Sequence, residues 1–270
     1  MRMEKNCIFD DLRSNPTYDI SFKSAIGKRE SQQDAAYIAA SDDDVLAVVC
    51  DGMGGISGGQ LASRTAVEAF IECYQTYAQQ DAAGFAWLKN AAEVIDDIVY
   101  SLCGPDGQRL GAGTTLVSII LHDGQINWLS VGDSRLYILR GNEMVQVTND
   151  HNYFLTLNRQ RQNGQISSEV YQEEACNGEA LISFIGMGGL LMIDINEVPF
   201  ALVPGDVILL CTDGLYRTVS DQEIKTIVTE SESMQEAANH LEKIIEHRSH
   251  PYQDNYTFVL IKKESGDRNE

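Results

Sequence analysis

The chain has 270 residues, of which 43% are hydrophobic and only 5 are proline, a composition that supports a sizeable core and argues against long disordered linkers. Its 40 acidic and 20 basic residues give a net charge of −20, which disfavours binding to nucleic acid or anionic membranes because both require a basic surface. The six cysteines form no close pairs, and no apolar run approaches the length of a membrane span. We therefore expect free thiols and a cytoplasmic protein.

The first half of the chain predicts strands followed by two helices. Residues 1–18 are expected to form a loosely held lead-in. Apolar residues then predict strands over 20–25, 35–40 and 45–50. From Ser57 the apolar residues recur at three- and four-residue steps, which indicates an amphipathic helix. A second helix with the same spacing is expected to stop at Gly104-Pro105.

The second half is predicted to be mainly strands, with two helices near its end. We expect a short helix over 153–162 and an irregular segment over 163–179. The predicted strands cover 114–121, 125–131, 135–140, 144–147, 181–185, 193–200, 207–211 and 256–262. The two late helices are predicted over 221–228 and 233–247. Strands and helices do not alternate along the chain, which favours two packed sheets with helix pairs on their outer faces over a doubly wound parallel sheet.

Three of the predicted strands end in an aspartate beside a glycine. Asp51 follows an apolar run and precedes Gly52-Met53-Gly54-Gly55, Asp213-Gly214 follows a second run, and Gly132-Asp133 follows a third. An Asp-Gly pair alone is also an ordinary turn sequence. The recurrence of the pattern at three strand ends favours a shared site.

Four aspartates are predicted to converge where strands meet loops: Asp34, Asp51, Asp213 and Asp254. Clustered buried carboxylates repel one another strongly unless cations lie among them. A ligand set made only of oxygen atoms selects magnesium or manganese over zinc. Two such ions would hold a bridging water for in-line attack on a phosphoryl group.

Seven motifs resemble those of the metal-dependent protein phosphatases (protein phosphatase type 2C), in the same order and at similar spacing over residues 18–263. They are Gly27-x-Arg29…Asp34, Val49-x-Asp51-Gly52-Met53-Gly54-Gly55, Gly113-Thr114-Thr115, Val131-Gly132-Asp133-Ser134-Arg135, Thr148-x-Asp150-His151, Thr212-Asp213-Gly214-Leu215 and Asp254-Asn255-x-Thr257. The Asp-Gly-Met-Gly-Gly form resembles the bacterial branch. The resemblance implies an α+β fold, a four-layer α-β-β-α sandwich of two mainly antiparallel sheets. It also implies one catalytic domain over 19–263, with a flap segment near 163–179 and a tail over 264–270.

The resemblance also implies a role for each matching residue. Asp51 would bridge two Mn²⁺ or Mg²⁺ ions, with the Gly52 carbonyl on one of them and Asp213 and Asp254 on the other. Asp34 would orient metal-bound water and serve as a candidate general base. Arg29 would bind the substrate phosphate through its planar guanidinium; taken alone, it would more simply be a surface ion pair. Asp133 would help Asp213 to bind a third, weaker ion, or would only cap its turn. The supporting residues would be Asn255, Gln33, Thr114 and Thr115.

The chain departs from the family pattern at three positions. Met53 stands where eukaryotic relatives have a histidine that protonates the leaving group, so that a water must donate this proton. Gln33 replaces a glutamate found in many members, and an amide is a weaker anchor for metal-bound water. Phe184 replaces a basic residue in the strand after the flap segment.

The predicted function is hydrolysis of phosphoserine and phosphothreonine on proteins by attack of a metal-bridging hydroxide. No cysteine lies in a phosphate-loop context and no serine elbow is visible, which disfavours a covalent intermediate. The expected partners are phosphoproteins made by a serine/threonine kinase in bacterial signalling, and the chain is expected to act as a monomer. Two alternatives remain open. One is a pseudophosphatase that only binds a partner, and the other is a phosphatase dedicated to a phosphorylated regulatory antagonist.

Overall fold

The structure is a computed structural model that describes residues 2–4, 7–10, 15–77, 86–248 and 251–265. Of the predicted tail, residues 266–270 lie outside the described residues, as do residues 1, 5, 6 and 11–14 of the predicted lead-in. Within the described part of the chain, every helix is too short or too polar to traverse a lipid bilayer.

The first sheet has the order β1-β2-β4-β5-β7-β8-β11, and its neighbouring strands are antiparallel except for the parallel pair β2 and β4. Two further short strands, β6 and β12, pair with β5 and β8. The strand bounds are β1 Arg2–Glu4, β2 Cys7–Asp10, β4 Asp34–Ala40, β5 Asp44–Met53, β6 Gly113–Thr114, β7 Leu116–His122, β8 Gln125–Val131, β11 Asp194–Ile195 and β12 Phe200–Ala201.

The second sheet has the order β10-β9-β13-β14-β3 and is antiparallel throughout. Its strands are β3 Tyr18–Ala25, β9 Arg135–Arg140, β10 Glu143–Gln146, β13 Val207–Cys211 and β14 Tyr256–Lys263. The helices are α1 Gly55–Tyr77, α2 Ala86–Tyr100, α3 Tyr153–Gln162, α4 Ser168–Glu174, α5 Asp213–Tyr216, α6 Asp221–Glu230 and α7 Met234–Arg248.

Three apolar clusters place these elements in four layers. Strand β5 illustrates the arrangement, because successive side chains of a strand point to opposite faces. Leu46, Val48 and Cys50 pack with the apolar faces of α1 and α2. Val45 and Ala47 face the other way, into a cluster shared with Ile208, Leu210 and Val259 of the second sheet. The outer face of the second sheet packs against α6 and α7. The predicted α-β-β-α sandwich is therefore confirmed.

Several predicted elements have different bounds or a different structure. The predicted strand over 181–185 is wrong, since Leu181 and Ile185 form only isolated bridges, and the strand predicted over 193–200 is reduced to β11 and the start of β12. The flap segment contains α4, capped by the Ser167 side chain, and a 3₁₀ turn at Ala175–Asn177, where irregular chain was expected. In the expected lead-in, β1 and β2 extend the first sheet.

Candidate metal centre

A polar cleft lies at one end of the sandwich, where ends of strands from both sheets meet. Its volume is about 280 Å³. One contact joins the two sheets here: the Asn255 Oδ1, just before β14, accepts a hydrogen bond from the Gln33 N–H, just before β4, at 2.8 Å. The Lys28 N–H, in the loop after β3, donates to the Gln253 carbonyl in the loop before β14. The residues lining the cleft are Arg29, Gln33, Asp51, Gly52, Met53, Gly54, Thr115, Asp133, Leu181, Asp213, Asp254 and Asn255.

The first sheet supplies Asp51 and Gly52 at the end of β5. The Thr115 Oγ1 accepts the Asp51 N–H at 2.9 Å, and the Thr115 N–H donates to the Asp51 carbonyl at 2.8 Å, so the backbone of Asp51 is fixed on both sides. Gly52 passes so close to α1 that a Cβ at this position would lie 2.1 Å from the Gly59 carbonyl oxygen. This close approach requires glycine.

The second sheet supplies Asp213 and Asp254. Asp213 follows β13 and opens α5, whose Gly214 lies against the Asn255 carbonyl; a Cβ there would come within 2.0 Å of that oxygen. Asp254 and Asn255 directly precede β14, which begins at Tyr256. The Asn255 Nδ2 donates to the carbonyls of Ile26 and Ser31 at 2.8 and 3.1 Å. Asn255 therefore joins the Asp254 loop to the loop that carries Arg29.

The carboxylates of the cleft raise one another's pKa. Burial is the largest cause for Asp51, whose pKa is raised well above its ordinary value, and the charges of Asp34 and Asp213 raise it further. Burial also raises the pKa of Asp213, the charge of Arg217 lowers it, and the charge of Asp254 raises it further. Asp51 and Asp213 therefore line the same cleft from different sheets, and the charge of Asp213 acts on Asp51.

Asp34 is placed next to Asp51 by the register of β4 on β5 but lies deeper than the residues that line the cleft. Its side chain is completely buried, and its Oδ2 accepts a hydrogen bond from the Thr212 Oγ1 at 3.0 Å. Burial, together with the charges of Asp213 and Asp254, raises the pKa of Asp34 to about 7, against the opposing effect of hydrogen bonds from Thr257 and Thr212.

Two arginines hold the carboxylates of the second sheet. The Arg29 Nη2 lies 2.5 Å from the Asp254 Oδ2, and the Arg217 Nε lies 2.8 Å from the Asp213 Oδ2. In the part of the chain that the structure describes, no three His, Cys, Asp or Glu side chains are grouped tightly enough to hold an ion as they stand. The sequence analysis did not identify Arg217 as a residue of this site. Its position four residues after Asp213, where two side chains of one helix can meet, could have indicated the ion pair.

Gln33 and Asp133 are two further predicted site residues that line the cleft. The Gln33 Nε2 donates to the Gly55 carbonyl at 2.8 Å, which fixes the glycine turn after Asp51. Asp133 is almost fully buried in the turn between β8 and β9, and its carbonyl accepts a hydrogen bond from the Tyr216 hydroxyl at 3.1 Å. Burial and the charge of Asp213 raise the pKa of Asp133 to about 6, although Arg217 opposes the shift.

The donor set of the cleft suits a hard divalent cation. The Asp213 Oδ1 is buried and accepts no hydrogen bond from any donor among the described residues. A buried carboxylate oxygen without a donor is costly, and a cation shared with Asp51 would satisfy it. Carboxylates and a backbone carbonyl are the ligands that magnesium and manganese prefer. Asp51, Asp213, Asp254 and the Gly52 carbonyl therefore fit such ions.

Comparison with known proteins gives a consistent set of similarities. The family described as Protein phosphatase 2C matches residues 23–249 of the chain. The serine/threonine phosphatase Stp of Listeria welshimeri is 29% identical over 241 residues, which cover 87% of this chain and 91% of that protein. The protein phosphatase PhpP of Streptococcus pneumoniae is 31% identical over 216 residues, covering 78% of this chain and 84% of that protein.

Solved structures show the same fold. The serine/threonine phosphatase of S. agalactiae superposes with a TM-score of 0.74 at 25% identity, over 92% of this chain and 100% of that one. The catalytic domain of the serine/threonine protein phosphatase PstP, in complex with two manganese ions, superposes with a TM-score of 0.70 at 26% identity. That alignment covers 92% of this chain and 99% of the other.

Proposed function

The chain belongs to the protein phosphatase 2C family, and we propose that it is a metal-dependent phosphatase that hydrolyses phosphoserine and phosphothreonine on proteins. The observation that carries the proposal is that Asp51, Asp213 and Asp254, which come from opposite sheets, line one cleft in which the Asp213 Oδ1 is buried and has no donor among the described residues. The predicted set of acidic residues is complete in the chain, as an active enzyme requires.

We propose that Asp51, the Gly52 carbonyl, Asp213 and Asp254 hold two Mn²⁺ or Mg²⁺ ions. When bound, such ions lower the pKa of a water and neutralise charge on the phosphoryl group. The chain itself supplies rigid positions for the ligands: Thr115 fixes the Asp51 backbone and Asn255 fixes the Asp254 loop. This preorganisation matters because misplaced ligands reduce the rate steeply.

Arg29 is the proposed phosphate ligand. Its side chain is 57% exposed at the edge of the cleft, and a planar guanidinium can bind two phosphate oxygens at once. Its partner in the structure is the Asp254 carboxylate. If Asp254 bound an ion instead, the guanidinium would be free to bind an incoming phosphate. We propose that Asp34 orients the attacking water and accepts its proton. Met53 carries no proton to give to the leaving group, so that a water must donate it.

Free cysteines support a reducing compartment. Cys50, Cys73, Cys103, Cys176 and Cys211 are all free thiols in the structure. We propose that the protein acts in the cytoplasm on phosphoproteins produced by a serine/threonine kinase, and that it does so as a monomer. A pseudophosphatase would tolerate loss of the acidic residues, and this chain has lost none of those that the family pattern requires.

The proposal is tested by phosphate release from a phosphothreonine peptide and from p-nitrophenyl phosphate, with and without manganese. We expect turnover that is abolished by chelation and restored when manganese is added back. A phosphotyrosine peptide serves as the contrasting substrate. If the folded, manganese-loaded protein releases no phosphate from either of the first two substrates but still binds a phosphoprotein, the pseudophosphatase alternative is correct.

A further inference from the structure

One guanidinium group connects three carboxylates beside the cleft. Arg217 lies at the end of α5, and its Nε is 2.8 Å from the Asp213 Oδ2. Its Nη2 is 3.7 Å from the Asp133 Oδ2, and its Nη1 donates a hydrogen bond to Glu179, the last residue of the flap segment. These partners come from α5, from the turn after β8 and from the flap segment, so that a single side chain joins three separate parts of the fold.

The charge of Arg217 offsets a repulsion that is otherwise uncompensated among these groups. Asp133 is buried and the Asp213 side chain is only 15% exposed, and the charge of Asp213 raises the pKa of Asp133. Arg217 lowers the pKa of both carboxyl groups. A guanidinium remains protonated throughout the physiological range, and it is a fixed positive charge that cannot dissociate from the protein.

The two oxygens of Asp213 are in different surroundings. Its Oδ2 accepts the hydrogen bond from Arg217, whereas its Oδ1 is buried and has no donor among the described residues. A cation held between Asp133 and Asp213 would compete with the guanidinium for the same carboxylates and would be repelled by its charge. Ions shared with Asp51 and Asp254 can use the Oδ1 without displacing Arg217.

We propose that Arg217 supplies, as a side chain, the positive charge that a third and weaker ion would otherwise bring to the Asp133–Asp213 pair. The chain then binds two divalent ions and not three. This inference rests on the proposed function, because it presupposes that Asp51, Asp213 and Asp254 hold the first two. The third-ion role that the family resemblance implied for Asp133 does not fit a carboxylate pair already joined by a guanidinium.

The test is a count of bound manganese on the full chain, measured from the electron paramagnetic resonance signal of free Mn²⁺ during a titration into the millimolar range. We expect two ions on the wild type and three on Arg217→Ala, with the third bound weakly. The double variant Arg217→Ala/Asp133→Asn should return to two. Arg217→Lys, which keeps the charge, should also bind two.

Glu179→Gln is the matched control, since it breaks the contact with the flap segment but leaves Arg217 beside both aspartates; two ions are expected. Circular dichroism establishes that each variant is folded, and Arg217→Gln replaces Arg217→Ala if the alanine variant is not.

A third ion on the wild type that is lost in Asp133→Asn would overturn the inference while leaving the proposed function intact. A count of two on the neutral Arg217 variant would overturn it as well. A wild type that binds no manganese would refute the proposed function and this inference together.

Discussion

At the scale of single residues, the cleft brings several carboxylates close together and largely away from water, an arrangement that favours cation binding. The charges of Asp213 and Asp133 raise the pKa of Asp51, and the charge of Asp213 raises that of Asp133. The arginine partners reach only some of the carboxylate oxygens. Buried like charges are unfavourable in the metal-free protein, and this unfavourable energy is released when a cation binds. The same carboxylates are therefore expected to lower the stability of the metal-free protein and to be required for activity.

Replacing Asp51 by asparagine should separate these two effects. We expect kcat/KM for a phosphothreonine peptide to fall by about 10³-fold or more, because the neutral amide loses several kcal/mol of metal-dependent transition-state stabilisation. The melting temperature of the metal-free variant should rise, since a buried charge is removed from the Asp34–Asp213 neighbourhood.

Asp42→Asn is the matched control, because Asp42 is exposed and lies away from the cleft; neither property should change. Steady-state kinetics and thermal unfolding in the presence of chelator provide the two measurements. An Asp51→Asn variant that keeps wild-type turnover would show that the cleft is not the active site.

The sequence predicts the residues of the cleft better than it predicts their partners. Asp51 and Asp213 each follow an apolar strand and precede a glycine, a local pattern that can be recognised without a structure. The contact of Arg217 with Asp133 cannot be recognised in this way. It depends on how far a long side chain extends from α5 and on how the two sheets are placed relative to each other.

At the scale of elements, the glycine-rich segment after the flap segment is fixed to α2 by a buried carboxylate. Asp96 is 1% exposed. Its Oδ1 accepts hydrogen bonds from the N–H groups of Gly186 and Met187 at 2.6 and 3.0 Å, and its Oδ2 accepts one from Gly189 at 2.7 Å. Gly186, Gly188 and Gly189 have positive φ angles, a conformation that other residues rarely adopt and that turns successive N–H groups towards one anion.

Replacing Asp96 by asparagine should lower the free energy of unfolding by about 2–4 kcal/mol. The amide has the shape of the carboxylate, but it loses the charge that strengthens these hydrogen bonds and turns an N–H₂ group towards a backbone N–H. Asp97→Asn is the matched control, because Asp97 is the next residue of the same helix and its side chain is exposed. Urea denaturation of both variants measures the difference. Equal midpoints for the two variants would show that Asp96 does not hold this segment.

The same contacts explain why the strand predicted over 181–185 does not form. Its short, mostly apolar run is typical of a strand. However, the Ser183 hydroxyl donates to the Met192 carbonyl and accepts from the Met192 N–H, and the following glycines bend the chain towards Asp96. Side-chain contacts with residues distant in the sequence therefore override the local pattern here. Strands whose two neighbours are both present, such as β8, β9 and β13, match their predicted bounds closely.

At the scale of the whole molecule, the fold could be predicted because the order of strands and helices restricts how apolar faces can be covered. Each sheet has one face against the other sheet and one against a pair of helices, as β5 shows by alternating between two clusters. The addition of β1 and β2 to the edge of the first sheet could not be predicted in this way. Those short strands carry no strong periodicity, and their pairing depends on an exposed sheet edge.

The buried acids of the cleft should make the stability of the metal-free protein fall as the pH rises. The pKa of Asp34 is raised to about 7 and that of Asp133 to about 6. The unfolded chain releases these protons near pH 4, so the folded protein binds more protons than the unfolded chain between about pH 4 and 7. We expect a lower melting temperature at about pH 8 than at about pH 5.5 in the presence of chelator, and a smaller difference once Mn²⁺ is added.

The variant Asp34→Asn separates the contribution of the cleft acids to the pH dependence of the melting temperature from the contribution of other titratable groups. His122, whose pKa is raised by its contact with Asp44, changes the stability in the same direction. Glu223, whose pKa is lowered to about 2, acts at lower pH, outside the range compared. The variant should show a weaker dependence on pH than the wild type over this range. A wild-type melting temperature that is constant or rises from pH 5.5 to 8 would contradict the account of the buried acids.

Anomalous diffraction from a crystal soaked in manganese tests most directly whether aspartates from the two sheets share a pair of ions. We expect two anomalous peaks about 3.5–4 Å apart, both within coordination distance of Asp51, with Asp213 and Asp254 contacting at least one of them. No peak between Asp133 and Asp213 is expected while Arg217 is present. Fully soaked crystals with no anomalous density among Asp51, Asp213 and Asp254, or with manganese bound only elsewhere on the acidic surface, would contradict the account.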